Sequence, residues 1–525
     1  MKKRFPLLIF IIVALGTFIY GLGSAPPAQA FISLMNGDLR LDGFVKEYIY
    51  VRDAIPRKEQ QFHNTNADQM LTSALINILY KAHEDQCQTL NLFAGFKYYY
   101  DLAPATDHAQ RSAVPSSERS WYQKPKDEDI IAEAYADYIR GPFNIKVGKQ
   151  IVVWGETDIK RTVDIVNPLD MRYGSPGVMS WSEMKLGIWM IRGFYQSQLP
   201  GNLLFEFIYN PGYFQGIRLP VEGTQWGPWP DTTSFNPGHG PGIYNYSVTE
   251  AWQKYQPKKW QISNWQLGFR LRGFSYNIDW TLLYVNQLYQ GPVAVPGAMT
   301  DFGVKYVVAG LRSQTDTNEF IKPDPYYGPR PYDWKRYQLF GGTAQTTFDA
   351  LHGSVWRLEY FYEHNAPYNL STTGTTQGTI YDQAKRDTFG FGLNYSDKFL
   401  LPYIGRYWFN NQFTQVSLTA FYEKILNFDK DLIVDSSRDH EYNCSSSQTY
   451  SWNIMQQWDN AIWTFIFMGS YAPIGKWFMC PMIGYGPGNH WRIEGGPIIY
   501  HNNNKFNRGG YWDKSSVLIR IRYEF

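Results

Sequence analysis

The chain has 525 residues and a formal net charge of +2, with 49 Lys and Arg against 47 Asp and Glu and no basic run, which argues against a nucleic-acid surface. Its mean hydropathy of -0.40 is that of a water-soluble protein, and beyond the first thirty residues no apolar stretch reaches the ~18 residues of a membrane-crossing helix. Yet 18% of the residues are aromatic, with 40 Tyr, 33 Phe and 19 Trp, a combination expected of alternating strands with aromatic girdles at two membrane interfaces.

The chain opens with Lys2, Lys3 and Arg4, an apolar run from Phe5 to Tyr20, and small residues ending in Ala28, Gln29 and Ala30. This predicts a secretory signal peptide over residues 1–30 with an Ala28-x-Ala30 cleavage site. Phe31 stands where a lipid-anchored precursor has Cys, so the mature part, residues 31–525, is expected to carry no lipid. Cys87, Cys444 and Cys480 show no C-x-x-C, haem-attachment or metal-ligand spacing, and no cofactor or metal is expected.

From residue 39 onward, two-residue periodicity over about ten residues, the length of a tilted membrane-crossing strand, predicts strands at 39–51, 69–81, 88–100, 129–140, 143–153, 184–196, 202–209, 261–272, 276–286, 335–348, 353–363, 386–396, 412–424, 449–458, 461–469, 476–486, 489–500 and 514–525. The segment 69–81 also fits a short helix, and 449–458 is weak and accepted partly for parity. Because single-chain bacterial barrels have even strand numbers, the count is about 18, with 16 open. Trp265, Leu267, Phe269 and Leu271 alternate with Gln266, Gly268, Arg270 and Arg272; Gly273 to Ser275 reads as a turn, and Tyr276, Ile278, Trp280, Leu282 and Tyr284 resume. A soluble sandwich gives the same alternation, with its apolar face on a second sheet instead of lipid. The connections favour a barrel. With both ends periplasmic, short turns near 141–142, 197–201, 273–275, 349–352, 459–460 and 487–488 fall on one side, and the long segments 102–128, 154–183, 210–260, 287–334 and 425–448 on the other. Cys87 and Cys444 then lie about 30 Å apart, too far for a disulfide.

The densest polar stretch leaves the fifth strand: Gly148-Lys149-Gln150, Trp154-Gly155-Glu156-Thr157-Asp158, Lys160, Arg161, then Asp164-Ile165-Val166-Asn167-Pro168-Leu169-Asp170. Charges of both signs in one loop predict an internally paired segment that folds inward and narrows a lumen. In the simpler reading it is a latch, its carboxylates pairing with Lys160 or Arg161; in the other it also touches cargo. This stretch resembles the hallmark of the proteobacterial outer-membrane barrels known as domain of unknown function 1302, with Lys149 where that family commonly has Arg, which keeps the charge but loses the bidentate fork. The resemblance implies an outer-membrane barrel that accompanies inner-membrane exporters of the resistance-nodulation-division (RND) type and lipid or steroid metabolism.

The histidines, His108, His239, His440, His490 and His501 among them, fall in predicted loops or at strand ends without a Gly-x-Ser-x-Gly or paired-His motif, so no catalysis is expected. The Gly- and Pro-rich stretch 210–243 reads as an extracellular loop whose Tyr213, Phe214, Trp226 and Trp229 cover the mouth or grip an apolar solute. In the last strand Val517, Ile519, Ile521, Tyr523 and the final Phe525 oppose Arg520, Arg522 and Glu524. This pattern resembles the C-terminal signal read by the barrel-assembly machinery, with Tyr523 and Phe525 as the readout.

The sequence thus predicts an all-β transmembrane antiparallel barrel in the bacterial outer membrane, with an inward loop after strand 5. The expected function is a channel for small amphipathic or hydrophobic molecules, with outer-membrane lipid, a periplasmic carrier and an RND-type permease as partners. A structural or binding-only barrel, and a sheath around an electron conduit, are the alternatives.

Overall fold

The computed structural model describes residues 31–51, 67–106, 122–125, 127–155, 162–174, 178–218, 224–226, 256–294, 332–349, 353–371, 380–401, 412–433, 444–501 and 514–525. Ala28 and Ala30, and with them the signal-peptide cleavage site, lie outside these residues. Eighteen strands form the wall: β1 Leu39–Val51, β2 Ala67–Glu84, β3 Gln88–Asp101, β4 Ile131–Arg140, β5 Phe143–Gln150, β6 Ile188–Gln196, β7 Leu204–Asn210, β8 Gln266–Ser275, β9 Ile278–Leu288, β10 Arg336–Phe348, β11 Ser354–Ser371, β12 Ile380–Phe399, β13 Thr414–Ile425, β14 Ser446–Trp458, β15 Trp463–Ala472, β16 Lys476–Tyr485, β17 Trp491–His501 and β18 Ser516–Glu524. Each pairs antiparallel with the next, and β18 returns to β1 from Phe44↔Glu524 to Val51↔Val517, so the sheet closes without an edge.

Burial along the strands is inverted relative to a soluble protein. Phe205, Phe207 and Phe269 are more than a third exposed, while Glu206, between the first two, is 3% exposed and Glu359 is fully buried. Apolar groups outside and polar groups inside are stable only if the outer surface meets hydrocarbon. The protein is therefore an outer-membrane β-barrel, and eighteen strands leave an interior wide enough for a channel. Stacked and edge-on rings, such as Trp458 with Trp463 at 6.1 Å and Trp491 with Tyr523 at 4.9 Å, gather near the rim that holds both chain ends. They are the girdle that the aromatic content calls for.

The strand count is eighteen, and 69–81 is strand throughout, extended at both ends as β2. The short turns expected on one side share the terminal rim and the long segments the far rim, which also holds one short turn, between Ala472 and Lys476. One turn is displaced: β8 runs through Gly273 to Ser275, and the chain reverses at Tyr276 and Asn277, both with positive φ of 51° and 61°. Gly273 stays in the strand because Trp280, directly opposite, fills its side-chain space. Strand 143–153 ends early, at Gln150, and strand 184–196 starts late, at Ile188, behind a helical turn at Trp181–Met184. As a result β5, β6 and β7 have 8, 9 and 7 residues, against 18 and 20 for β11 and β12.

Candidate functional site

The described residues of the connection between β5 and β6, residues 151–187, are anchored to the inner wall at several points. Gly148 stands in β5 two residues before its end: its φ is +141°, and a Cβ there would sit 2.1 Å from the Ala134 carbonyl oxygen, so only glycine fits. Beyond it Lys149, in the outward register, folds over and donates to the carbonyls of Glu128 and Ile131, both at 2.7 Å. Gln150 donates to the Met190 carbonyl at 3.1 Å. Both residues tie strands together.

Asn167 has no exposed surface. Its side chain accepts from the Val152 N–H at 2.7 Å and donates to the carbonyls of Gln150 at 3.0 Å and Leu186 at 2.8 Å, clasping both ends of the connection. Asp164 accepts from the Trp154 N–H at 3.3 Å and pairs with Lys185, which also donates to the Val152 carbonyl at 3.0 Å. The Trp154 indole lies over Gly268 of β8, where a Cβ would meet it at 2.8 Å, and donates to Glu206 at 3.1 Å. Glu206 also takes Arg192 at 2.5 Å and Arg270 at 2.6 Å, all three projecting inward from β6, β7 and β8.

The middle of the connection reaches the arc of the wall that holds β1, β3 and β18. Asp170 pairs with Arg172 at 2.7 Å and lies 3.5 Å from Arg218, which in turn pairs with Asp129 at 2.7 Å. Arg172 donates to the Tyr99 hydroxyl of β3. Glu183 pairs with Lys46 of β1 at 2.9 Å and accepts from the Tyr48 hydroxyl at 3.2 Å, while Arg520 of β18 donates to the Val178 carbonyl at 3.0 Å. Burial pushes the Asp170 carboxyl up, but Arg172, then Arg218 and Lys97, outweigh it and hold it well below the ordinary carboxylate range. Burial likewise opposes ionisation of Glu183, and Lys46 with Ser180 overcomes it.

Of the residues expected in the loop, Lys149, Gln150, Trp154, Asp164, Asn167 and Asp170 converge here, while Glu156, Asp158, Lys160 and Arg161 lie outside the described residues. Among the described residues the carboxylates pair with Lys185, Arg172 and Arg218, and the expected pairing with Lys160 or Arg161 lies outside the described residues. Arg218 and Asp129 carry no motif in the sequence; Lys46, Lys97, Arg192 and Glu206 were legible only as inward parity positions. In the 210–260 segment Trp226 is buried, donates to Gln69 of β2 at 2.9 Å and packs edge-on to Tyr50 at 5.3 Å. Trp229 and His239 are outside the described residues. At the terminal rim the Phe525 N–H and carbonyl bond with Gly43 of β1, each at 3.0 Å.

One arc of the inner wall departs from the polar rule. Met468 of β15, Cys480 and Met482 of β16, Ile498 of β17 and Leu518 of β18 point inward and are buried in one apolar cluster with Val178 and Met179 of the connection. Among the described residues no group of three or more His, Cys, Asp and Glu side chains could hold a metal ion.

Three solved barrels align over nearly the whole chain. OccAB3 of Acinetobacter baumannii matches 93% of this chain and 99% of its own at 9% identity, with a TM-score of 0.46. OpdK of Pseudomonas aeruginosa gives 93%, 98%, 9% and 0.46, and OmpF of Salmonella typhi, solved with daunomycin, gives 94%, 100%, 10% and 0.42. No curated protein matches the sequence. The family model described as protein of unknown function (DUF1302) matches residues 63–478, most of the chain, and the protein belongs to that family.

Proposed function

We propose that this barrel is a passive outer-membrane channel for small amphipathic or hydrophobic molecules of lipid-like or steroid-like character. The mixed lumen wall carries this reading. Inward Glu206, Arg270 and Arg192 form a charged arc, and Met468, Met482, Ile498 and Leu518 form an apolar one buried under Val178 and Met179, so a solute with both characters would meet a surface for each where the connection gives way. The β5–β6 connection, held to both arcs, acts as the constriction. The family resemblance supports a link to a periplasmic carrier and an RND-type inner-membrane permease, which copurification would test.

The test is conductance of residues 31–525 in planar bilayers, with and without a series of hydrophobic solutes. Steady current blocked by one solute class supports the channel. A folded but silent barrel overturns it and favours a second reading, a sealed structural barrel, to which the buried ionic ties of the connection lend weight. Deletion of residues 156–170 separates the connection's roles. Higher conductance marks a constriction, whereas unchanged conductance with lost heat resistance marks a latch alone.

A further inference from the structure

Among the described residues the wall has one place where strand pairing lapses without a change of register. Between β16 and β17 the partners run Trp477↔His501 to Met479↔Ile499, then resume at Ile483↔Gly495 on the same register. The three omitted pairs are Cys480 with Ile498, Pro481 with Pro497, and Met482 with Gly496. Two prolines thus face each other in mid-strand, and proline has no N–H to give. In an antiparallel ladder a hydrogen-bonded pair exchanges two N–H bonds, and each of these also supports the pairs on either side. Removing both donors accounts for the loss of all three pairs. Both prolines remain paired on their other flanks, to Phe467 of β15 and Val517 of β18, so the break is confined to this seam.

The seam is closed by packing. A Cβ on Gly496 would lie 1.9 Å from the Pro481 carbonyl oxygen, so the two backbones touch only because residue 496 is glycine. Four residue steps separate the intact pairs, a window of about 13 Å along the strands. Outside it is the lipid-facing wall. Inside it is the apolar arc, where Cys480 and Ile498 have no exposed surface and Val178 and Met179 pack from the connection.

We infer that apolar solutes pass between lumen and bilayer through the β16–β17 seam at Pro481 and Pro497, sideways through the wall. The inference rests on the apolar-cargo reading above. Parting these strands breaks no hydrogen bond over the window, whereas at any fully paired seam the same opening strips several backbone groups in hydrocarbon, at several kcal/mol each.

Ile498→Cys tests it. Residue 498 lies across from native Cys480 at a non-hydrogen-bonded position, where Cα atoms about 4.5 Å apart suit a disulfide. In a Cys87→Ser, Cys444→Ser background, oxidation staples the seam and reductant reopens it. Entry of the apolar fluorophore N-phenylnaphthylamine into Gram-negative cells producing the full-length barrel is the readout. We expect oxidation to cut barrel-dependent entry at least fivefold and reductant to restore it, with ion conductance the same in both states. Pro481→Val with Pro497→Val, which supplies the missing donors, should slow entry without a cross-link. Parental entry through the stapled barrel overturns the lateral route and leaves the channel reading standing. No entry above an empty host, even through the parental barrel, overturns both.

Discussion

Asn167 has four hydrogen-bonding valences, and three of them close the ends of the β5–β6 connection onto each other. Asn167→Ala leaves a buried N–H and two carbonyls unpaired, at about 1–3 kcal/mol each before relaxation. The connection should then become the first site of limited proteolysis while the barrel keeps its heat resistance. Asp170→Asn removes the anion between Arg172 and Arg218, and breaking such a buried pair costs about 3–5 kcal/mol. Because the folded carboxyl titrates below its ordinary value of about 3.9, its contribution is complete above that value and is lost as pH falls through the depressed one. Protease resistance of the connection should hold from neutrality down past pH 4 and fail only in stronger acid; loss at pH 5 to 6 would contradict the pairing. At this scale the sequence marked Asp164, Asn167 and Asp170 as a group but not their partners. Arg218 meets Asp170 from a segment some fifty residues away, and no spacing rule encodes that contact.

At the scale of elements, periodicity, helped by even parity at β14, located the strands of the wall, because an outward residue in lipid and an inward one in water tolerate different chemistry at each step. It erred at ends and turns, where that contrast fades. Tyr276 and Asn277 occupy the positive-φ positions of a two-residue hairpin, which favour Asn and Gly, yet Tyr276 is 98% exposed and looks like part of a strand. Tyr276→Asn with Asn277→Gly should raise the melting midpoint by the equivalent of about 1 kcal/mol. An unchanged or lower midpoint would mean that the Tyr276 ring gains more at the membrane interface than its backbone loses. The end of β5 was equally hidden, since Ile151 and Val153 continue the apolar pattern after the strand has ended at Gln150. On the inward face, Gly268 and Gly341 are where Trp154 and Val163 rest against the wall.

For the whole molecule, even parity, both ends on one rim and long loops on the other were readable before any coordinate, since closure of a ring admits few alternatives. Which arc of the ring is apolar inside, and where its ladder is broken, were not readable. Both depend on bringing β15 to β18 side by side with the connection from β5. Closure also hides how uneven the wall is. The seven residues of β7, at about 3.4 Å each and tilted by about 40°, rise only ~18 Å, short of the ~25 Å apolar band usual for such barrels. A bilayer cannot leave a gap, so its two leaflets must draw together beside β5, β6 and β7, and lipids with short or kinked tails should collect there. Refolding into vesicles should therefore be most efficient with short-chain lipids. An optimum in thick bilayers would mean that the surrounding loops, not the strands, set the hydrophobic height on this side.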